Sequence, residues 1–269
     1  MIQIPSDFTE FLYWFKEITE TRWAADPTIP LEESSDGWLH NAKWIGLTDD
    51  QIDSIENKYA VKFVPEHRAF LRVLHTTDRK EKIQYIKIID GKEVTVIEEH
   101  SYFYNWLTDD ASIEVYLEWP FQTILQDVLG ESKVWLKSWG EKPDSEDEKK
   151  AVFANWYEKA PLLLPLRAHT FLVSDITLEK RPALSVWGSD VIIAGWSLQA
   201  YLISEFSFAL DLTEMVYDDE DKVYYGNFKK GVLTTYGEYF QFKLTHSIPY
   251  WEEMILYFNW QFHKVNQSE

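Results

Sequence analysis

The sequence predicts an α+β fold on three observations. Apolar residues recur at helical spacing near both ends of the chain, two β-branched and aromatic runs flank an Asp-Gly pair as in a β-hairpin, and further strand pairs fill the second half. No repeat of fixed period interrupts this order.

After Ser6, a good cap, Phe8, Phe11, Leu12, Phe15 and Ile18 fall on one stripe, widened by Trp14 and Trp23. Residues 7 to 24 therefore read as an amphipathic helix. Residues 25 to 36, with Pro27, Pro30 and four acids, read as an exposed loop. Thr48-Asp-Asp-Gln51 has capping-box spacing, with Leu47 and Ile52 set as a staple, so a helix runs from there to about Tyr59. Pro65 suits a first helical position, and Phe70, Leu71 and Leu74 supply the next buried face. Residues 83–90 and 93–97 form the predicted hairpin, because Asp90-Gly91 tolerates the positive backbone angles of a tight turn.

Residues 108 to 129 are helical in pattern and end at Gly130, with Pro120 a point of division. A charged linker follows over 143–150, and a helical pattern resumes over 146–159. Strands are expected at 168–174, 183–187 and 190–194, a helix at 197–208, and strands near 213–217, 223–228 and 238–244. Trp251, Ile255, Phe258 and Phe262 mark a final helix.

Composition narrows the function. A chain of 269 residues with 45% hydrophobic content and 13 Trp, 15 Tyr and 16 Phe buries enough apolar area to fold, and its length predicts one domain, 1–269. The absence of cysteine excludes disulfides, thiolate metal sites and cysteine nucleophiles. The apolar run Pro161-Leu-Leu-Leu-Pro-Leu166 is far short of the roughly 20 residues a bilayer requires. Residues 1–8 lack the basic start and apolar core of a secretory leader, so a cytoplasmic location is expected.

The net charge of −19 is unevenly placed. Between Lys92 and Lys133, and again between Arg181 and Lys222, there is no Lys or Arg, and these windows contribute −9 and −8. Such a chain repels polyphosphate, so neither nucleic acid nor an anionic membrane is an expected partner, whereas a basic protein is.

Chemical motifs are sparse. No Gly-rich phosphate loop, paired-histidine zinc helix or Gly-x-Ser-x-Gly elbow occurs. Asp219-x-Asp221 opens like a calcium loop, but Val223 and Tyr224 stand where an oxygen ligand and glycine belong. His169, Asp175 and Ser185 make a triad only on paper, since spacing does not define one, and His169 reads as a structural histidine. No catalytic residue, metal or cofactor is assigned. Paired carboxylates with abundant aromatics leave a carbohydrate-active enzyme as the alternative, and a scaffold in cell-envelope regulation as another.

The most distinctive residues are Trp139-Gly-Glu-Lys-Pro143, then Ala160-Pro-Leu-Leu-Leu-Pro-Leu-Arg-Ala-His169-Thr-Phe-Leu-Val173. Arg181-Pro-Ala-Leu-Ser-Val-Trp187-Gly-Ser-Asp190 and Leu198-Gln-Ala-Tyr201 follow, preceded far upstream by Leu47–Glu56 and Phe63–Leu71. Over residues 44–206 this resembles the SUKH superfamily, a group named partly after a yeast cell-wall synthesis regulator and rich in bacterial immunity proteins. The last 60 or so residues, the extension 207–269, match only loosely. Relatives tend to carry Gly-His-Arg-Tyr where this chain has Ala168-His-Thr-Phe171, and Asn where it has Arg181. The resemblance implies a curved, mainly antiparallel sheet backed by helices, and non-enzymatic binding of a toxin. The contact residues expected on this reading are Trp139, Trp187, Ser189 and Asp190, with the acidic run Asp218, Asp219, Glu220 and Asp221.

Overall fold

The computed structural model describes residues 2–25, 37–89, 91–130, 134–220 and 222–257. Residues 26–36 of the loop predicted over 25–36, Asp90 of the hairpin turn, and Phe258 and Phe262 of the last helix lie outside the described residues. In chain order the elements are α1 (Phe8–Ala24), β1 (Trp44–Ile45), α2 (Asp49–Tyr59), α3 (Pro65–Leu74), β2 (Thr76–Thr77), β3 (Lys80–Ile89), β4 (Lys92–Ser101) and α4 (Asp110–Leu129). They continue as α5 (Glu146–Tyr157), β5 (Leu162–Arg167), β6 (Thr170–Ser174), β7 (Ala183–Trp187), β8 (Asp190–Gly195), α6 (Leu198–Glu205), β9 (Thr213–Asp218), β10 (Val223–Phe228) and α7 (Val232–Tyr236). An eighth helix, α8, covers residues 251–257. The fold is α+β, and its strand pairings are antiparallel. No helix among the described residues is long and apolar enough to cross a membrane.

The chain forms two compact units. Unit one comprises Met1–Val61, Pro65–Asp110 and Phe206–Thr235; unit two comprises Lys62–Val64, Ala111–Glu205 and Tyr236–Glu269.

In unit one, α1 is capped by Asp7 rather than the expected Ser6. Asp7 Oδ1 accepts from Glu10 N–H at 2.9 Å, and its carboxylate also suits the positive end of the helix. At α2 both halves of the capping box between Thr48 and Gln51 are formed. Arg68 of α3 reaches back to Asp53 and Glu56 of α2, at 2.7 and 3.1 Å, and Glu56 is the buried member of that group. The core is aromatic: Phe15 meets Phe206 edge-on at 5.2 Å, and Phe70 meets Phe103 at 5.0 Å. Trp44 adds a satisfied polar pair, its indole N–H donating to Thr19 Oγ1 at 2.9 Å while that hydroxyl donates to Phe15 C=O. Two hairpins, β3–β4 and β9–β10, complete the unit's strands alongside the short β1–β2 pair.

Unit two is built on a four-stranded meander in the order β5-β6-β7-β8. Phe171, Val173, Leu184, Val186, Val191 and Ile193 pack with Ile124 and Val128 of α4, Phe153 and Trp156 of α5, and Trp251 of α8. Strand β5 escaped the sequence reading because its apolar run does not alternate and contains Pro165. It lies at the sheet edge, with a bulge between Pro165 and Arg167, where a missing N–H is tolerated. Pro120 does not divide α4, which is one helix. The strand expected at 238–244 is absent. Gly237–Phe240 is a 3-10 turn, and the Lys243 carbonyl is taken by the Trp196 indole N–H at 3.1 Å instead of a ladder partner.

The β5–β6 turn holds a backbone conformation that favours glycine over the alanine present. Ala168 holds φ = 46°, a left-handed conformation in which Gly has no Cβ penalty. Ala168→Gly is therefore expected to stabilise the protein by about 0.5 kcal/mol after the entropic cost of Gly in the unfolded chain. Urea denaturation checks this, a lower midpoint being the contrary result.

Candidate functional site

A meander brings alternate turns to the same end of its sheet. In unit two these are Ala168-His169 between β5 and β6, and Gly188-Ser189 between β7 and β8. Val186 N–H donates to His169 C=O at 2.8 Å, and the His169 ring stands edge-on to Trp187 at 5.4 Å.

Gly188 takes φ = 59° at the first central position of its two-residue turn, the place glycine occupies in a II′ hairpin. A Cβ there would come within 2.3 Å of Asp127 Oδ2. That oxygen accepts from both Ser189 N–H at 2.6 Å and Ser189 Oγ at 2.8 Å, tying α4 to the turn. Trp119 makes a second tie, its indole N–H donating to Val186 C=O at 3.0 Å. The turn is thus fixed by charge-assisted bonds as well as by packing.

The outcome is a row of rings on a rigid edge. Tyr116 lies 5.3 Å from Trp119, Trp119 lies 5.4 Å from Trp187, and His169 also lies against Trp187. Trp187 is 62% exposed despite these neighbours. Directly across the ladder from it stands Asp190, whose Oδ1 is buried and has no hydrogen-bond partner among the described residues. Burial holds the Asp190 carboxyl above the usual carboxylate range, and the charge of His169 partly offsets that shift.

Of the expected contact residues, Trp187, Ser189 and Asp190 meet at this end of the sheet. Ser189 is buried, with its N–H and hydroxyl committed to Asp127, so its part here is to hold the turn. Trp139 is placed elsewhere in unit two, buried against Trp135, Phe153 and Trp156. It contributes to the wall of a concavity of about 720 Å³ shared with Asn155, Lys159, Tyr250, Glu252 and Glu253. Both of those glutamates have structural bonds: Glu252 accepts from Ser247 and Ile248, and Glu253 from Ser138 N–H. Asp218, Asp219 and Glu220 sit in unit one at the β9–β10 turn, where Glu220 N–H donates to Asp218 Oδ1 at 2.8 Å; Asp221 lies outside the described residues.

The sequence reading missed Tyr116, Trp119 and Asp127. Their spacing along α4 puts them on one helix stripe, and an acid sharing a stripe with two aromatic rings was the available signal. Among the described residues no cluster of His, Cys, Asp and Glu is arranged to hold a metal ion. Compared with protein-family models, with curated proteins and with solved structures, the chain has no match in any of the three.

Proposed function

We propose that this chain is a non-enzymatic binding module that grips a basic protein, an immunity protein neutralising a cationic toxin, with the turn end of unit two as its anchor. The observation that carries the reading is the exposed indole of Trp187, held in place beside an Asp190 oxygen that has no donor among the described residues. An arginine or lysine of the partner laid against that indole gains cation–π attraction, and its proximity lowers the cost of the ionised Asp190. Rigid aromatic anchors of this kind dominate interface energetics, while a net charge of −19 accelerates encounter with a cation. The resemblance to the SUKH superfamily supplies the toxin as the class of partner.

The test is to identify the effector encoded by a gene adjacent to this chain's own, purify it, and assay its activity with equimolar protein. Inhibition should be stoichiometric. Trp187→Ala should weaken binding by about 10- to 100-fold, mainly through faster dissociation. Reversing the charges of Asp218, Asp219, Glu220 and Asp221 should slow association and reduce its salt dependence. Inhibition untouched by Trp187→Ala, or association indifferent to salt, would sink the proposal.

A further inference from the structure

We infer that the β3–β4 hairpin is a dimerisation arm: two copies of the chain pair antiparallel along β4, about a two-fold axis at Thr95, to make one four-stranded sheet.

Within unit one, β3 and β4 have only each other as strand partners among the described residues. The ribbon nevertheless leaves Ile83, Ile86, Ile88, Ile89, Val94 and Ile97 exposed, with Ile88 at 77%. A two-stranded hairpin is marginal in water, and so much exposed aliphatic surface on one marks an interaction site. Strand β3 lies near the 3-10 turn Gly37–Leu39, and among the described residues the outer edge of β4 has no strand partner.

Charge selects the occupant. The two strands carry Lys80, Lys82, Lys87 and Lys92 against Glu81, Glu93, Glu98 and Glu99, and Asp90 of the turn leaves the arm at only −1 in a chain of net charge −19. It is therefore a place where two copies approach with little repulsion.

Register selects the axis. The pairing Ile89↔Lys92 spans a two-residue loop, so the alternating ladder turns the N–H and C=O groups of Glu93, Thr95 and Ile97 to the open edge. With the axis at Thr95, each Thr95 faces its equivalent, Val94 faces Val96 of the second copy, and Lys92 faces Glu98 of the second copy. Glu98 is already held in place by the Tyr85 hydroxyl and by Lys87. Moving the axis to Val96 would set Glu93 against Glu99 of the second copy, a like-charge pair that disfavours that register.

The chain has no cysteine, so a single introduced thiol reports the axis without interference. Equivalent residues across an antiparallel two-fold have Cα atoms about 5.5 Å apart, within disulfide range. Thr95→Cys is expected to form a covalent dimer on mild oxidation at least about tenfold faster than Ile86→Cys on β3, whose two copies lie a sheet apart. Unmodified protein should sediment as a dimer. Thr95→Pro, which removes an outward N–H but no hairpin bond, should sediment as a monomer with unchanged circular dichroism. A monomeric parent, a dimeric Thr95→Pro, or crosslinking of Ile86→Cys as fast as Thr95→Cys would each overturn the inference. Should Thr95→Pro misfold, the relative crosslinking rates still decide the matter.

Discussion

Lowering the pH from 7 to about 4 is expected to unfold unit one through His67 and His75. Both rings are buried in the folded unit, at 0% and 1% exposure. His75 Nε2 accepts the Trp106 backbone N–H at 2.9 Å, so the neutral ring must carry its proton on Nδ1, and a second proton would set two donors face to face. Burial is the main reason that the His75 pKa falls to about 4, with Asp109 opposing the shift. At His67 burial again dominates, and the charge His75 would carry adds to it, leaving a pKa of about 3. The folded state therefore resists protonation while the unfolded chain takes up protons near pH 6.5. A depressed folded pKa means that the stability is fully present above pH 6.5 and drains away as pH falls toward 4 and then 3. Over that window two such groups cost on the order of 5 kcal/mol, comparable with the whole stability of a domain. Proton NMR of the imidazole Cε1–H signals is the direct measurement: neither ring should titrate above pH 5. Hydrogen exchange across α3 and residues 102–106 should accelerate over the same range. A ring titrating near 6.5 in the folded protein would refute the argument.

That prediction rests on positions that gave little notice of themselves. His67 lies within the α3 stripe and reads from spacing as one more member of a helix face, and only the fold shows it brought near His75. What was legible depended on local rules. The Thr48–Gln51 box, the first-turn Pro65 and the β3–β4 hairpin are each decided by a few neighbouring residues, and each formed as the local chemistry requires. Where a long-range partner decides, the pattern misled. A strand was expected at 238–244, but Trp196 claims the Lys243 carbonyl there and among the described residues no neighbouring strand pairs with it. The same holds at the candidate site. Trp187, Ser189 and Asp190 were legible as a turn, yet the roles of Ser189 and Gly188 depend on Asp127, which is 62 residues away from Ser189 in the chain.

Gly46→Ala is expected to be the most damaging small substitution in unit one. Gly46 immediately follows β1 and passes over the last turn of α3, where Leu47 N–H donates to Leu71 C=O at 2.9 Å. A Cβ at Gly46 would lie 1.9 Å from the Arg72 carbonyl oxygen and 2.6 Å from its carbon. Both are backbone atoms of a helix, so no side chain can swing aside, and relief requires the strand end and α3 to separate. Separation breaks the Leu47–Leu71 bond and loosens Leu47, Phe70, Leu71 and Leu74, all buried. A forced backbone shift in a close-packed core costs about 3 kcal/mol or more. Gly226→Ala in β10 is the internal comparison, since a Cβ there meets nothing within 4 Å and replaces glycine in a strand interior. It should leave stability within about 0.5 kcal/mol of the parent or raise it slightly. Urea denaturation of both variants separates steric exclusion from a general intolerance of alanine for glycine. A Gly46→Ala protein within about 1 kcal/mol of the parent would mean that β1 and α3 are not held together as closely as the Leu47–Leu71 bond requires.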